Sequence, residues 1–310
     1  MASSSTVSSL DFGPRTQVEH SAPVRLLIWL KQFARSKPLG FAGMVMVLSL
    51  LAVAIFAPQL APFDPNKLDL KHRLAPLDFS SVHKLGSDAT GKDILSRLIY
   101  GARVSMTVGF GAVAISESGA LFIGVVSGYL GGTFDKVVQR FVEAWQAMPG
   151  LLILITFMGI AKQMPNVNIL LAMVLAIGVL GIPGRSRVFR SQVLTLQQAQ
   201  YVEAAKSLGA TDPRVIWKCM IPNIMPLVLV SATTGLGGVI LQEASLSFLG
   251  FGPTGQPSWG QMLSVDGRQY MTQQPGLAIW PGVCIATAVF GFNIFGDALR
   301  DVLDPRLRNR

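Results

Sequence analysis

The feature that most constrains this chain is a series of long apolar runs almost free of charge. Residues 41–57, FAGMVMVLSLLAVAIFA, contain no ionisable side chain. Nine of them are Val, Ile, Leu or Phe, and at about −0.3 to −0.6 kcal/mol each, bilayer insertion is favoured by roughly 3–5 kcal/mol. Five more segments have the same character: 104–126, 141–160, 167–183, 223–247 and 277–296. A hydrocarbon core of about 30 Å takes about 20 helical residues to cross, and only helices or closed barrels satisfy their backbone there. Only 14% of the 310 residues are charged and half are hydrophobic, which points to lipid rather than water as solvent. The expectation is an all-α integral membrane protein with six transmembrane helices.

The basic residues orient it. With the N-terminus inside, segments 1–40, 127–140, 184–222 and 299–310 are cytoplasmic and hold 17 of the 26 Lys and Arg; segments 58–103, 161–166 and 248–276 hold the other 9. That bias predicts N-in, C-in. The net charge of +9 then reflects topology, and no nucleic-acid partner is expected. The layout is a cytoplasmic tail over 1–40, a first span over 41–57, an extracytoplasmic loop over 58–103, a five-helix core over 104–298 with a long cytoplasmic loop at 184–222, and a cytoplasmic tail over 299–310. Residues 1–24 are Ser-rich and read as disordered. Residues 25–37 mix Arg25, Lys31, Arg35 and Lys37 with apolar side chains, the pattern of an amphipathic helix resting on membrane lipid. Part of the 58–103 loop, Ile94 to Ile99, is amphipathic too.

Several chemistries are not indicated. Residues 86–92, GSDATGK, fit GxxxxGK, but Asp93 stands where a P-loop needs Ser or Thr, and no apolar strand precedes it. No other ATPase site is apparent, so ATP energy has to come from another subunit. Cys219 and Cys284 form no CxxC, and His20, His72 and His83 lack metal-ligand spacing, so neither metal nor cofactor is expected. No Ser/His/Asp, HExxH or paired-carboxylate set suggests an enzyme. Within the spans, Glu117 has to face protein or water, since an intramembrane charge costs at least about 2.5–3.5 kcal/mol. It could line a solute path, pair with a polar group of a neighbouring subunit, or sit protonated. Glu143 and Glu243 lie near span ends, where water is close, and read as structural or interfacial. The Gly109/Gly111, Gly128/Gly132 and Gly235/Gly238 pairs read as helix-packing positions.

The informative loop is 184–222. Residues 196–208, LQQAQYVEAAKSL, are strong helix formers. Gly209 follows as a C′ residue, and Thr211-Asp212-Pro213 reads as the N-cap and N1 of a second helix over 213–221. Tyr201, Ala205 and Leu208 share one face, and Ala204 and Ala205 keep the surface slim beside Glu203. Such a helix suits either a groove on a partner protein or the bilayer surface.

Here the sequence resembles a known family. Glu203-Ala204-Ala205, three residues, Gly209, nine residues up to Cys219, and then Pro222 is similar to the EAA loop of binding-protein-dependent ABC importer permeases. Cys219 and Ile221 stand where that family usually has Ile and Leu. Gly86-Ser87-Asp88 through Arg103, Glu243 to Gly250, Pro257-Ser258-Trp259-Gly260 and the run from Phe292 to Arg306 resemble dipeptide and oligopeptide permeases of the C-subunit type. The resemblance implies a type I ABC importer permease fold in a bacterial inner membrane. It also implies a coupling helix at Glu203–Gly209 that docks on an ATPase. The partners implied are a homologous second permease, two ATP-binding subunits and an extracytoplasmic solute-binding protein. The chain itself would be no enzyme. Within this class, nickel complexes, opines and sugars are alternative solutes; outside it stands a lone proton-coupled secondary transporter.

Overall fold

The computed structural model describes residues 22–78 and 82–303. The Ser-rich stretch, apart from its last three residues, and the Asp304-Pro305-Arg306 motif lie outside the described residues. Two compact units are distinguished, one ending at Pro38 and the other beginning at Leu39. In the first, helix α1 (Ala22–Ser36) occupies the stretch expected to be an amphipathic helix.

The second unit is helical, with an isolated antiparallel bridge, Ser87 to Asp93, as its strand-like pairing among the described residues. Helix α2 spans Pro38–Ile55 and the short α3 spans Ala57–Leu60. The 37-residue α4 runs from Ile94 to Leu130. At about 1.5 Å per residue it is roughly 55 Å long, well beyond a bilayer core. It starts where Asp93 caps it, accepting the Ser96 amide at 2.7 Å, and stops where Gly131 takes φ 63°. The amphipathic 94–99 stretch, expected within the 58–103 loop, is thus helical and continuous with the apolar run that follows.

Two further expectations need correction. The third span, 141–160, is broken: α5 (Gly132–Gln146) and α6 (Gly150–Gln163) meet at 79°. Pro149 is the cause, since it has no amide proton and forces Met148 out of the helical region. Five helices are long and apolar enough to cross a membrane, and six if the bent pair counts as one. The second correction concerns 184–222. Helix α7 extends from Ile169 through Pro183 to Gln197, so the first part of this stretch continues the helix of the fourth apolar run. The expected helix over 196–208 is interrupted at Gln198 and at Ala199, which has ψ 135°.

Beyond that break come α8 (Gln200–Ser207), α9 (Asp212–Val215), a π-helical turn over Ile216–Met220 and α10 (Ile221–Leu246). Pro222 explains the wide turn. It cannot donate to the helical ladder, and just before it the Ile221 amide bonds back to the Ile216 carbonyl, one residue further than in an α-helix. Short α11 (Trp259–Met262) and α12 (Arg268–Tyr270) lead to α13, Gly276–Leu303.

Helix α4 packs most extensively on α7, and glycine makes the approach close. A methyl group on Gly124 would lie 2.7 Å from the Ser186 carbonyl oxygen, and one on Gly178 would lie 3.1 Å from that of Ala112. The register runs Gly111 to Val174, Gly119 to Ile182 and Gly128 to Val193. Both numbers rise together, so α4 and α7 are parallel. Helix α10 runs antiparallel to α4, pairing Ser105 with Glu243 and Glu117 with Ser231. Gly111 and Gly128 are thus packing positions as expected. Gly132 is instead a turn residue at φ 60°, and Gly238 meets open space.

Candidate functional site

The connection 198–220 is anchored from below and bare above. Val202, Val215, Met220 and Ile224 are fully buried with Phe189 and Val193 of α7, and this apolar patch seats α8 and α9 on the end of the bundle. Above it, Glu203 and Ala204 are exposed and Ala205 is half-buried. Leu208 is 89% exposed and Tyr201 45%. The expected face of Tyr201, Ala205 and Leu208 therefore exists and is turned away from the core, with Val202 as the inward anchor.

Gly209 ends α8 as the spacing predicted. Its φ is +81°, its amide bonds to the Lys206 carbonyl at 2.9 Å, and the Ala210 amide bonds to the Ala205 carbonyl at 3.0 Å. This pair of bonds is the Schellman closure, which needs a left-handed residue at C′. Thr211 occupies the N-cap position of α9 without a side-chain cap bond. Ala205, Leu208, Gly209, Ala210, Thr211 and Arg214 line a cavity of about 410 Å³. Pro222 is exposed at the start of α10. Burial raises the Tyr201 phenol above its ordinary pKa, and charge on nearby Cys219 adds to the effect.

Several side chains that the sequence did not single out tie this connection to the spans. The Tyr129 hydroxyl, at the end of α4, donates to Asp212 at 2.5 Å. Lys206 stands over the Tyr129 ring, 5.1 Å from its centre, and the Gln197 amide donates to the Tyr129 carbonyl. Three arginines of α7, read from the sequence as loop residues, each meet an acid. Arg190 makes a two-pronged pair with Asp135 of α5, Arg187 lies 3.5 Å from Glu143, and Arg185 lies 2.9 Å from Glu117. Three basic residues spaced two and three apart, preceded by one acid in each of two spans and one in the segment between those spans, were the available signal.

Glu117 is buried at the junction of α4, α7 and α10. Its Oε1 accepts from Arg185 Nε and, at 3.0 Å, from the Ser231 hydroxyl. Arg185 Nη1 in turn donates to Ser116. The guanidinium fits because Gly181 and Gly235 lie against it; a methyl on Gly235 would come within 2.3 Å. This contact is none of the readings left open for Glu117: its neighbour is Arg185 of the same chain. Glu243 differs from its expected setting near water. It is fully buried, and its two oxygens accept from Ser105 and Ser247, each at 2.8 Å. Glu143 is exposed, as expected of an interfacial residue.

At the other end of the bundle, the P-loop-like segment is closed on its own acids. Asp88 accepts from the amides of Thr90 and Lys92 at 2.7 and 3.0 Å and from Arg97. Amides that would cradle a phosphate are already taken. Trp259, almost wholly buried, donates to the Leu98 carbonyl at 2.9 Å and fixes the connection between α10 and α13 to the start of α4.

Comparison with known proteins agrees with this geometry. Residues 120–309 match the family model for the binding-protein-dependent transport system inner membrane component. Residues 29–76 match the N-terminal TM domain of oligopeptide transport permease C. The chain is 35% identical to the dipeptide transport system permease protein DppC of Alkalihalophilus pseudofirmus, over 90% of this chain and 89% of that one. It is 35% identical to the oligopeptide transport system permease protein OppC of Bacillus subtilis, over 88% of each. Among solved structures, an inward-facing MetNI methionine ABC transporter chain superposes with a TM-score of 0.56 at 17% identity, covering 68% of this chain and 98% of that one. That likeness concerns the fold.

Proposed function

The chain belongs to the family of binding-protein-dependent transport system inner membrane components, and from this premise we propose that it forms, with a homologous permease, the inner-membrane pathway of an ATP-driven importer of di- and oligopeptides. Two ATP-binding subunits would hydrolyse ATP, and an extracytoplasmic binding protein would deliver the solute. The names of the similar permeases support the peptide class.

The observation that carries the reading is the bare upper face of α8, held rigidly from beneath. Glu203, Ala204 and Ala205 offer a slim surface, and Gly209 ends it abruptly. Closure of the ATPases would push this surface and, through Tyr129–Asp212 and the arginines of α7, move α4, α5 and α7. Alternating access then follows as a rigid-body switch between two packings.

Six spans with both termini inside is the topology that fits best. Parallel α4 and α7 require an odd number of crossings between them, which the bent α5–α6 pair supplies as one span. The antiparallel α10 then brings 198–220 to the same side as the start of α2 and the end of α13, the side where basic residues concentrate. In this reading 1–40 and 299–310 are cytosolic tails and 58–93 is extracytoplasmic. A cavity of about 790 Å³ with Asp64, Asn66, Tyr100, Arg103 and Gln256 in its wall lies at the delivery end. Glu117 itself is shielded, so Arg185 is the member of that pair offered to the pathway.

The test is reconstitution with the partner permease and ATPases in liposomes. Gly209→Val is expected to leave ATP hydrolysis running while peptide uptake falls at least about tenfold, because a β-branched residue resists the left-handed conformation. Normal coupled uptake by this variant would remove the docking role of α8.

A further inference from the structure

The spacing of His72 and His83 suggested no metal site, yet folding brings both to one carboxylate. Asp69 Oδ2, His72 Nδ1 and a ring nitrogen of His83 lie within 4.8 Å of one another. His72 Nδ1 is 2.8 Å from Asp69 Oδ2, and His83 Nε2 is 3.6 Å from the same oxygen. Around a tetrahedral zinc ion with bonds of about 2.0–2.2 Å, neighbouring donor atoms stand about 3.3 Å apart. The first distance has to open and the second to close by a few tenths of an ångström.

The surroundings resemble those that orient metal ligands. His83 Nδ1 lies 3.0 Å from Asp93 Oδ1. With the Nδ1 proton donated to that carboxylate, the Nε2 lone pair would be free to take a metal ion beside Asp69, the arrangement that fixes a ligating imidazole. Asp93 is itself immobilised, since its other oxygen caps α4 through the amide and hydroxyl of Ser96, both at 2.7 Å. Asp69 and His72 sit one tight turn apart, with Asp69 capping the 3₁₀ turn Leu70–His72. The Asp69 backbone packs directly over Gly91, where a methyl would come within 1.8 Å of its carbonyl oxygen. His83 is buried beside the Phe63 ring. The His72 side chain is 47% exposed, which leaves water access to a fourth position.

We propose that Asp69, His72 and His83 bind one divalent transition-metal ion, zinc being the test case. Two imidazoles and one carboxylate suit zinc and its first-row neighbours rather than calcium or magnesium, which take all-oxygen shells. The ion would clip the turn at 69–72 to the segment around 83, bracing the stretch between α3 and α4. Binding does not depend on the transport reading, because it is measured on the purified full-length chain without its partners.

The experiment is a Co²⁺ titration of the tag-free protein in detergent, followed by Zn²⁺ competition. One equivalent of Co²⁺ should give the visible absorption of a low-coordinate site, and Zn²⁺ should bleach it. His72→Ala, at a half-exposed position, should abolish the signal with the helical circular dichroism unchanged. His20→Ala should leave it intact. Asp93→Asn, which keeps an α4 cap, should weaken affinity about 10- to 100-fold. Absence of the absorption in the wild-type chain, or its full retention in His72→Ala, would overturn the site.

Discussion

The polar connections at the two ends of the bundle look alike in composition and are built oppositely. Between α3 and α4, acids are consumed internally: Asp88 and Asp93 cap turns, and Ser87 accepts the Ala75 amide. Around α8, Glu203 and Ser207 stand at the surface, and the apolar Leu208 and Trp217 are largely exposed. A segment whose polar groups satisfy one another is a rigid fitting. One that leaves both charge and apolar area bare calls for a partner, because such area is costly in water.

Five substitutions sharpen or break this contrast. The largest effect should come from the joint between the two ends. Arg185→Met leaves Glu117 buried and unpaired, and should cost about 3–5 kcal/mol in denaturant unfolding of the detergent-solubilised chain. Adding Glu117→Gln should recover much of that loss. Next is Asp93→Ala, which removes the α4 cap and strands the Ser96 groups and His83 Nδ1, for about 2–4 kcal/mol in the same assay. Gly209→Ala should cost about 1 kcal/mol, since it forces a left-handed conformation on alanine. Glu203→Ala should change stability by less than about 0.5 kcal/mol, yet lower peptide uptake by the reconstituted transporter. Were Glu203→Ala to destabilise as much as Asp93→Ala, the two ends would not differ in the way described.

Much of this was legible in the sequence because lipid imposes a crude rule. Runs without charge, such as 41–57, can hardly be anything but spans, and Gly209 announced its conformation by standing after a helix former run and before Thr211-Asp212-Pro213. What was not legible depended on partners distant in sequence. Arg185, Arg187 and Arg190 read as a loop because their acids lie on α4 and α5. Pro149 was masked by the apolar residues around it. His72 and His83 gave no motif because their common neighbour, Asp69, is positioned by Gly91. Glu243 read as either structural or interfacial because nothing local indicates that Ser105, far away in the sequence, would reach it.

The close seam between α4 and α7 has a mechanical consequence. Where Gly124 faces the Ser186 carbonyl, main chain lies nearly against main chain, with no cushion of side chains to deform. Two rods joined so tightly cannot slide or splay by small rotamer adjustments. They have to travel as a single beam, which leaves the less extensive boundaries with α6, α10 and α13 as the places where a gate in this subunit would open.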